Sequence, residues 1–253
     1  MVKYNFSGQA ALVTGAGSGM GLTTAKAFAE AGASVAMADI NDGAKRAAEE
    51  LSAAGHNVIA INCDVADEDQ VRAMIEQTVS TFGRLDFAFN NAGVMQTNKF
   101  TSEMSSEEWD RVQSVNLRGV WLCLKYELKH MEQQGSGSVV NCSSVGGFVT
   151  TAGLGGYISS KHGVIGLTKT AAVEYAPKGI RVNAVCPGTI RTSMVESMLN
   201  SEGFSMEEFV RLIPLGRLGR PEEISNAVLW LCSSDASYMI GHALPIDGGL
   251  LVI

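Results

Sequence analysis

Four glycines within seven positions, Gly15, Gly17, Gly19 and Gly21, most limit how this chain can fold. They follow Ala10-Ala11-Leu12-Val13, a short apolar run that reads as a buried strand. Beyond them Leu22, Ala25, Phe28 and Ala29 recur at helical spacing up to a stop at Gly32. In a strand, glycine turn and helix, bare glycines let backbone amides approach a pyrophosphate at the helix N-terminus, where the positive dipole end favours an anion. A tight turn that binds nothing is the alternative this segment alone leaves open.

The rest of the chain repeats the alternation. Residues 34–38 are apolar and end in Asp39, about 20 residues past the glycine turn, where an acid accepts hydrogen bonds from an adenosine ribose. Asp39 would also repel a 2′-phosphate, and neither Ser18 nor Ile40 offers that phosphate a cation. The preference this predicts is NAD(H) over NADP(H); a helix N-cap before residues 42–44 is the other reading of Asp39. Helices are predicted over 43–54, from Ala66-Asp67 to Phe82, over 106–133, over 157–175 and from Pro221. Strands are predicted over 57–62, 85–89, 138–142, 179–186 and 243–246. Within 106–133, Asn116 stands among Val112, Val115, Leu117 and Val120, so its amide is expected to be buried and partnered. Residues 193–215 read as irregular, with Met194, Met198 and Met206 suiting either a lid over an apolar substrate, spanning about 190–215, or core filler. Strands alternating with helices predict a parallel sheet covered on both faces, a Rossmann-type α/β fold in one domain over 1–253.

Tyr157 and Lys161 are spaced i, i+4, one above the other on a helix face. A free tyrosine titrates near about 10, and an adjacent ammonium favours the phenolate. Such a tyrosine takes a proton from an alcohol or returns one to a ketone. Ser144, ending the run before it, is placed to hold the substrate oxygen, although chemistry alone does not separate it from Ser143. In isolation the pair also fits an ordinary surface Tyr/Lys contact.

With a net charge of −7 and no long basic run, a nucleic-acid footprint is not expected. Nor is a membrane span or a signal peptide, and the five scattered cysteines read as buried free thiols of a cytoplasmic protein. The four histidines show no ligand spacing, so no metal is expected.

Taken together, these residues resemble the short-chain dehydrogenase/reductase family over essentially the whole length. The resemblance rests on Thr14-Gly15 through Gly19 and Gly21, Asp64-Val65, Asn90-Asn91-Ala92-Gly93, Asn116, Ser144, Tyr157-x-x-x-Lys161, Pro187-Gly188 and Asp247-Gly248-Gly249. It implies a seven-stranded Rossmann-type sheet and hydride transfer between nicotinamide and a carbinol or carbonyl carbon. It selects Ser144, thirteen residues before the tyrosine, as the group that polarises the substrate oxygen. Tyr157 becomes the acid/base, Lys161 holds the nicotinamide ribose, and Asn116 anchors a water that relays protons from Lys161. Cofactor contacts carried over are Gly15, Ser18, Gly19, Met20, Gly21, Asp39, Asp64, Val65, Asn91, Ala92, Gly93, Pro187, Gly188, Ile190 and Thr192, with Tyr157 and Lys161 also touching it. A homotetramer is implied as well, with the apolar tail 250–253 against a neighbouring subunit.

Met95, Val145, Phe148, Leu154, Met194 and Met198 are the candidate substrate-lining residues, mostly apolar and without a carboxylate clamp. They point to neutral, moderately hydrophobic or cyclic alcohols and ketones. A 3-oxoacyl-[acyl-carrier-protein] reductase is the alternative, disfavoured by Asp39 and the acidic charge. A cofactor-binding sensor without catalysis is a third reading, disfavoured because Tyr157 and Lys161 both stand.

Overall fold

Seven parallel strands form one sheet in the order β3-β2-β1-β4-β5-β6-β7. They are β1 (Ala10–Thr14), β2 (Ser34–Asp39), β3 (Val58–Asn62), β4 (Phe87–Asn90), β5 (Gly137–Cys142), β6 (Ile180–Pro187) and β7 (Ala243–Ile246). This computed structural model describes residues 4–193, 195 and 206–252. Helices α1 (Gly19–Glu30), α2 (Gly43–Ala53) and α3 (Glu68–Phe82) follow the first three strands, and α4 (Ser106–Gln113) and α5 (Gly119–Gln134) lead into β5. The long α6 (Gly155–Tyr175) links β5 to β6, and α7 (Met206–Arg211) and α8 (Pro221–Cys232) precede β7.

Successive side chains of a strand point to opposite faces, so β1 divides its residues between two cores. Ala11 and Val13 pack with Phe28 of α1, Ala47 of α2 and Ile224 of α8, while Leu12 packs with Met74 of α3, Leu122 of α5 and Val164 of α6. All five residues of β1 are buried, as expected of a central parallel strand with helices on both sides. Helix ends follow local chemistry. The Asp67 side chain accepts from the amides of Asp69 and Gln70 to start α3, and left-handed Gly83 (φ 76°) ends it.

Two expectations are corrected. The continuous helix over 106–133 is interrupted by a π-helical turn, Ser114–Arg118, between α4 and α5. One extra residue in the turn aims Asn116 at the backbone of Val94, which its Oδ1 accepts from at 2.8 Å and its Nδ2 donates to at 2.9 Å. Apolar periodicity does not register one inserted residue. Nor is 193–215 irregular throughout, because Met206–Arg211 is helical. Met194 and Met198 lie outside the described residues.

A polar chain crosses the core beside the carboxyl ends of β4 and β5. Asn90 Nδ2 donates to Glu127 Oε2 and to Asn141 Oδ1, both at 3.0 Å, and Asn141 Nδ2 donates to Thr168 Oγ1 at 2.9 Å. Glu127 is fully buried, and burial lifts its carboxyl to about 7 against the smaller opposing effect of the Asn90 hydrogen bond. Asn90 Oδ1 and Glu127 Oε1 are both buried without a partner.

Candidate active site

After β1 the chain turns to β2 on one side, and after β3 it crosses back to β4 on the other. The reversal opens a crevice beyond the carboxyl ends of β1 and β4, where open α/β sheets bind ligands. Thr14, Gly15 and Asn91 meet there. Asn91 Nδ2 donates to the carbonyls of Thr14 (3.0 Å) and Gly15 (3.2 Å), and Thr14 Oγ1 accepts from the amides of Asn91 and Ala92. Thr14 was not among the predicted contacts beyond its place in the pattern, yet it ties the two loops together.

The glycine turn needs its glycines. Gly15 and Gly19 are left-handed (φ 63° and 52°), and a Cβ at Gly21 would run into the carbonyl of Gly15 and lie 2.6 Å from Asn91 Nδ2. Ser18 sits at the N-cap of α1 without a side-chain cap, so the first-turn amides around Gly19, Met20 and Gly21 are open to an anion. Asp39 ends β2 with Oδ2 accepting from the Gly17 amide (2.8 Å) and Oδ1 from the Asn41 amide (2.9 Å). It does not cap α2, whose N-cap position is Asp42. Beside it Ile40 is exposed, leaving an apolar side chain next to the carboxylate. Asp64 and Val65 follow β3, with Val65 buried against Gly119 at the start of α5.

Opposite the glycine turn, Gly188 donates to Ile246 O at 3.0 Å, and a Cβ there would lie 2.8 Å from Asp247 Cα. Pro187 ends β6, and buried Ile190 forms a parallel bridge with Gly219. The Thr192 methyl lies 3.2 Å from where a Gly19 Cβ would be, so the two walls of the crevice face each other here.

Deeper in, the four residues expected to do chemistry converge. Tyr157 is the third residue of α6, and Lys161 lies one turn on with its Nζ 5.6 Å from the Tyr157 ring centroid. Lys161 is only 4% exposed, and its Nζ donates to Cys142 O at 2.9 Å. A Cβ at Gly146 would stand 3.5 Å from Ser144 Oγ and 3.6 Å from Tyr157 Cε1, so those two groups border one small space. At Gly93 the same construction meets Asn116 Oδ1 at 3.3 Å and Lys161 Nζ at 3.7 Å. Geometry also separates the two serines. Ser143 is buried and donates to Lys161 O at 2.9 Å, whereas Ser144 is half-buried and accepts only from the Gly146 amide. The neighbouring thiols are not nucleophiles: burial lifts Cys186 to about 12 and raises Cys142 despite Lys161.

Of the apolar residues expected to line the pocket, Val145 follows Ser144 in a short 3-10 turn and Leu154 is the half-buried N-cap of α6. Met95 is half-buried two residues past Gly93, its carbonyl held by Arg111 at 2.8 Å. Phe148 is 43% exposed and stands at the rim rather than inside. The sequence reading missed Gln96, which is buried and accepts from the Tyr157 amide at 2.7 Å. A polar residue directly after the apolar stretch 94–95 carries no signal of that contact.

Comparison with known proteins agrees with this geometry. The family model described as enoyl-(acyl carrier protein) reductase, of the short-chain alcohol dehydrogenase type, matches residues 15–251. Cyclohexanol dehydrogenase of Acinetobacter sp. strain SE19 is 43% identical, over 98% of this chain and 97% of its own. The 3-oxoacyl-[acyl-carrier-protein] reductase FabG of Staphylococcus aureus strain Mu50 is 41% identical, over 96% of this chain and 98% of its own. The crystal structure of levodione reductase superposes with a TM-score of 0.92 at 42% identity, covering 97% of this chain and 98% of that one. On the family model, the identities and the superposition together, the chain belongs to the short-chain dehydrogenase/reductase family of oxidoreductases.

Proposed function

We propose that this protein is an NAD(H)-dependent oxidoreductase that interconverts a secondary alcohol and a ketone, with Tyr157 as the acid/base. The observation that carries the proposal is the convergence of Ser144, Tyr157, Lys161 and Asn116 on one corner of a crevice whose other end is the glycine turn.

A dinucleotide fits this crevice. The uncapped first turn of α1 suits a pyrophosphate, with Gly15, Ser18, Gly19, Met20 and Gly21 around it. Asp39 keeps lone pairs for a ribose hydroxyl and disfavours a 2′-phosphate, which supports NAD(H) over NADP(H). Asp64, Val65, Asn91, Ala92 and Gly93 would contact the cofactor along the crevice, and Pro187, Gly188, Ile190 and Thr192 would lie near its nicotinamide. When bound, the cofactor supplies or takes the hydride.

The chain's own residues handle the proton. Ser144 Oγ donates to the substrate oxygen and orients it. The Tyr157 oxygen accepts the hydroxyl proton in oxidation and returns it in reduction. The Lys161 ammonium, held by Cys142 O one turn from Tyr157, would bind the nicotinamide ribose. Asn116, its amide held at both ends by the Val94 backbone, would anchor the water that relays protons from Lys161.

Substrate class follows from the apolar surroundings of Ser144 and from relatives named for cyclohexanol and levodione, which support a neutral cyclic alcohol or ketone. The second reading, 3-oxoacyl-[acyl-carrier-protein] reduction, has the Staphylococcus relative in its favour and a cavity of about 320 Å³ bordered by Arg191, Arg217 and Arg220. Arg217 is paired with Glu223 at 2.7 Å, which weakens that surface as a docking site for an acidic carrier. Residues 190–215 are proposed to act as the substrate lid. A cytoplasmic homotetramer is proposed too: the cysteines are buried and free, Trp121 and Val173 leave apolar surface on α5 and α6, and no helix among the described residues is long and apolar enough to cross a membrane.

The deciding experiment pairs Tyr157→Phe with wild type, measuring NADH binding by fluorescence and turnover on a panel of cyclic alcohols. Binding within about twofold and turnover reduced by about 100-fold or more are expected, given what a positioned acid/base contributes. Retained turnover, or a panel in which only acyl thioesters react, refutes the reading.

A further inference from the structure

We propose that Gln96 is the positioning residue of this site: from a neighbouring loop it caps the helix that carries Tyr157, and with the other end of the same amide it fixes the chain entering that helix. The inference rests on Tyr157 being the acid/base and goes beyond it by naming what holds Tyr157 in place.

The first four amides of a helix have no partner within it, and a serine or aspartate N-cap ordinarily accepts from the second or third. Helix α6 begins with Leu154 at the N-cap, which has no side chain to do this. The third amide is that of Tyr157 itself, and it donates to Gln96 Oε1 at 2.7 Å, from a residue 61 positions away in sequence. Gln96 is 8% exposed, so no solvent substitute is at hand. Its Nε2 donates at 2.8 Å to the carbonyl of Gly153, the residue just before the N-cap, and Gly153 O also accepts from the Lys99 amide. One side chain therefore bonds the backbone on both sides of the α6 start. The approach requires a bare neighbour, since a Cβ at Gly156 would stand 2.9 Å from Gln96 Oε1.

Segment 93–96 thereby touches three of the four catalytic candidates. Gly93 lies beside Lys161, Val94 is held at both backbone atoms by Asn116, and Gln96 holds Tyr157. The two halves of the Gln96 amide do separable work. The oxygen sets the tyrosine, and the nitrogen sets residues 149–154, which end in the candidate lining residue Leu154.

The test uses full-length Gln96→Met, Gln96→Glu and Tyr157→Phe, assayed with NAD+ and cyclohexanol or the panel alcohol turned over fastest. Each is read at the alkaline plateau of its own pH profile, with NADH titration and thermal melting as checks on the fold. Gln96→Met removes both bonds to the α6 entry and is expected to lower kcat about tenfold or more through misplacement of Tyr157, while NADH affinity stays within about twofold. Gln96→Glu keeps the acceptor and loses the donor, so kcat returns to within a few-fold of wild type while KM for the alcohol rises. Hydrogen exchange across residues 153–161 should quicken in Gln96→Met and not in Gln96→Glu, a readout independent of turnover. Gln96→Met with wild-type kcat and exchange overturns the proposal, as does equal loss of kcat in Met and Glu variants. If Gln96→Met fails to fold, Gln96→Glu decides: an unchanged KM overturns it. Should Tyr157→Phe turn over normally, the acid/base reading is what fails, and the exchange data still judge the cap.

Discussion

Replacing Glu127 by glutamine should stabilise the protein, by an amount that depends on pH in a calculable way. The carboxyl titrates at about 7 in the folded chain against an ordinary value of 4.5, chiefly because burial penalises the charged form. Below 4.5 it is neutral in both states and folding carries no proton penalty. As pH rises from 4.5 through about 7, the unfolded chain releases this proton and the folded chain holds it, so stability is lost across that window and flat above it. At about 1.4 kcal/mol per pH unit the interval amounts to about 3 kcal/mol, an upper bound if the folded site relaxes or admits water. Glutamine never ionises, and its oxygen can still accept from Asn90 Nδ2. Urea unfolding of wild type and Glu127→Gln at half-unit steps from pH 4.5 to 8.5 isolates the effect, because all other titrating groups are shared. The difference should be near zero at pH 4.5 and reach about 2–3 kcal/mol in favour of the variant above pH 7. Parallel stability curves, or a variant less stable at pH 8, would refute a neutral buried acid here.

Ser144→Ala should reduce kcat by about 10-fold or more with little change in melting temperature, whereas Ser143→Ala should lose about 1 kcal/mol of stability through its bond to Lys161 O and keep most of its kcat. Steady-state kinetics and thermal melts on both variants check the split, and equal kinetic loss in both would contradict it. Asp39→Ala should weaken NADH binding by about tenfold and narrow the gap to NADPH, since a charge-assisted acceptor and a 2′-phosphate repeller vanish together; paired fluorescence titrations with the two cofactors read this. Gly21→Ala forces a methyl onto the Gly15 carbonyl and should lower stability by about 1–3 kcal/mol along with NADH affinity, measured by melting and titration.

Much of the architecture is legible in the chain because two periodicities carry it. The fully apolar run 10–13 and the run 138–142, apolar apart from Ser138 and Asn141, sit where β1 and β5 are found, and the spacing of Val71, Met74 and Ile75 predicts α3. Boundaries slip by a residue or two where burial continues past the hydrogen-bonded ladder, as at Leu85, which is buried ahead of β4. The candidate site is legible where function needs a residue type that packing does not: glycines that bring backbones together, a tyrosine and a lysine one turn apart, an asparagine among valines. It is illegible where a side chain reaches across the sequence to a backbone atom. Gln96 on Tyr157, Thr14 on Asn91 and Ser143 on Lys161 each depend on which loops the sheet order makes neighbours, and no local pattern encodes that.

The π turn at Ser114–Arg118 frees the two helices it joins from a common phase. Upstream, Glu108, Arg111 and Gln113 brace the mouth of the crevice through the Thr97 amide and the carbonyls of Met95 and Gly156. Downstream, Leu122, Leu124 and Leu128 lie in the interior. Deleting a single residue there would swing everything after it by about 100°, and one of the two duties would have to be abandoned. Keeping the extra residue lets the entrance be remodelled by substitutions on α4 while the interior packing stays untouched, which offers a route for a shared scaffold to admit differently shaped molecules.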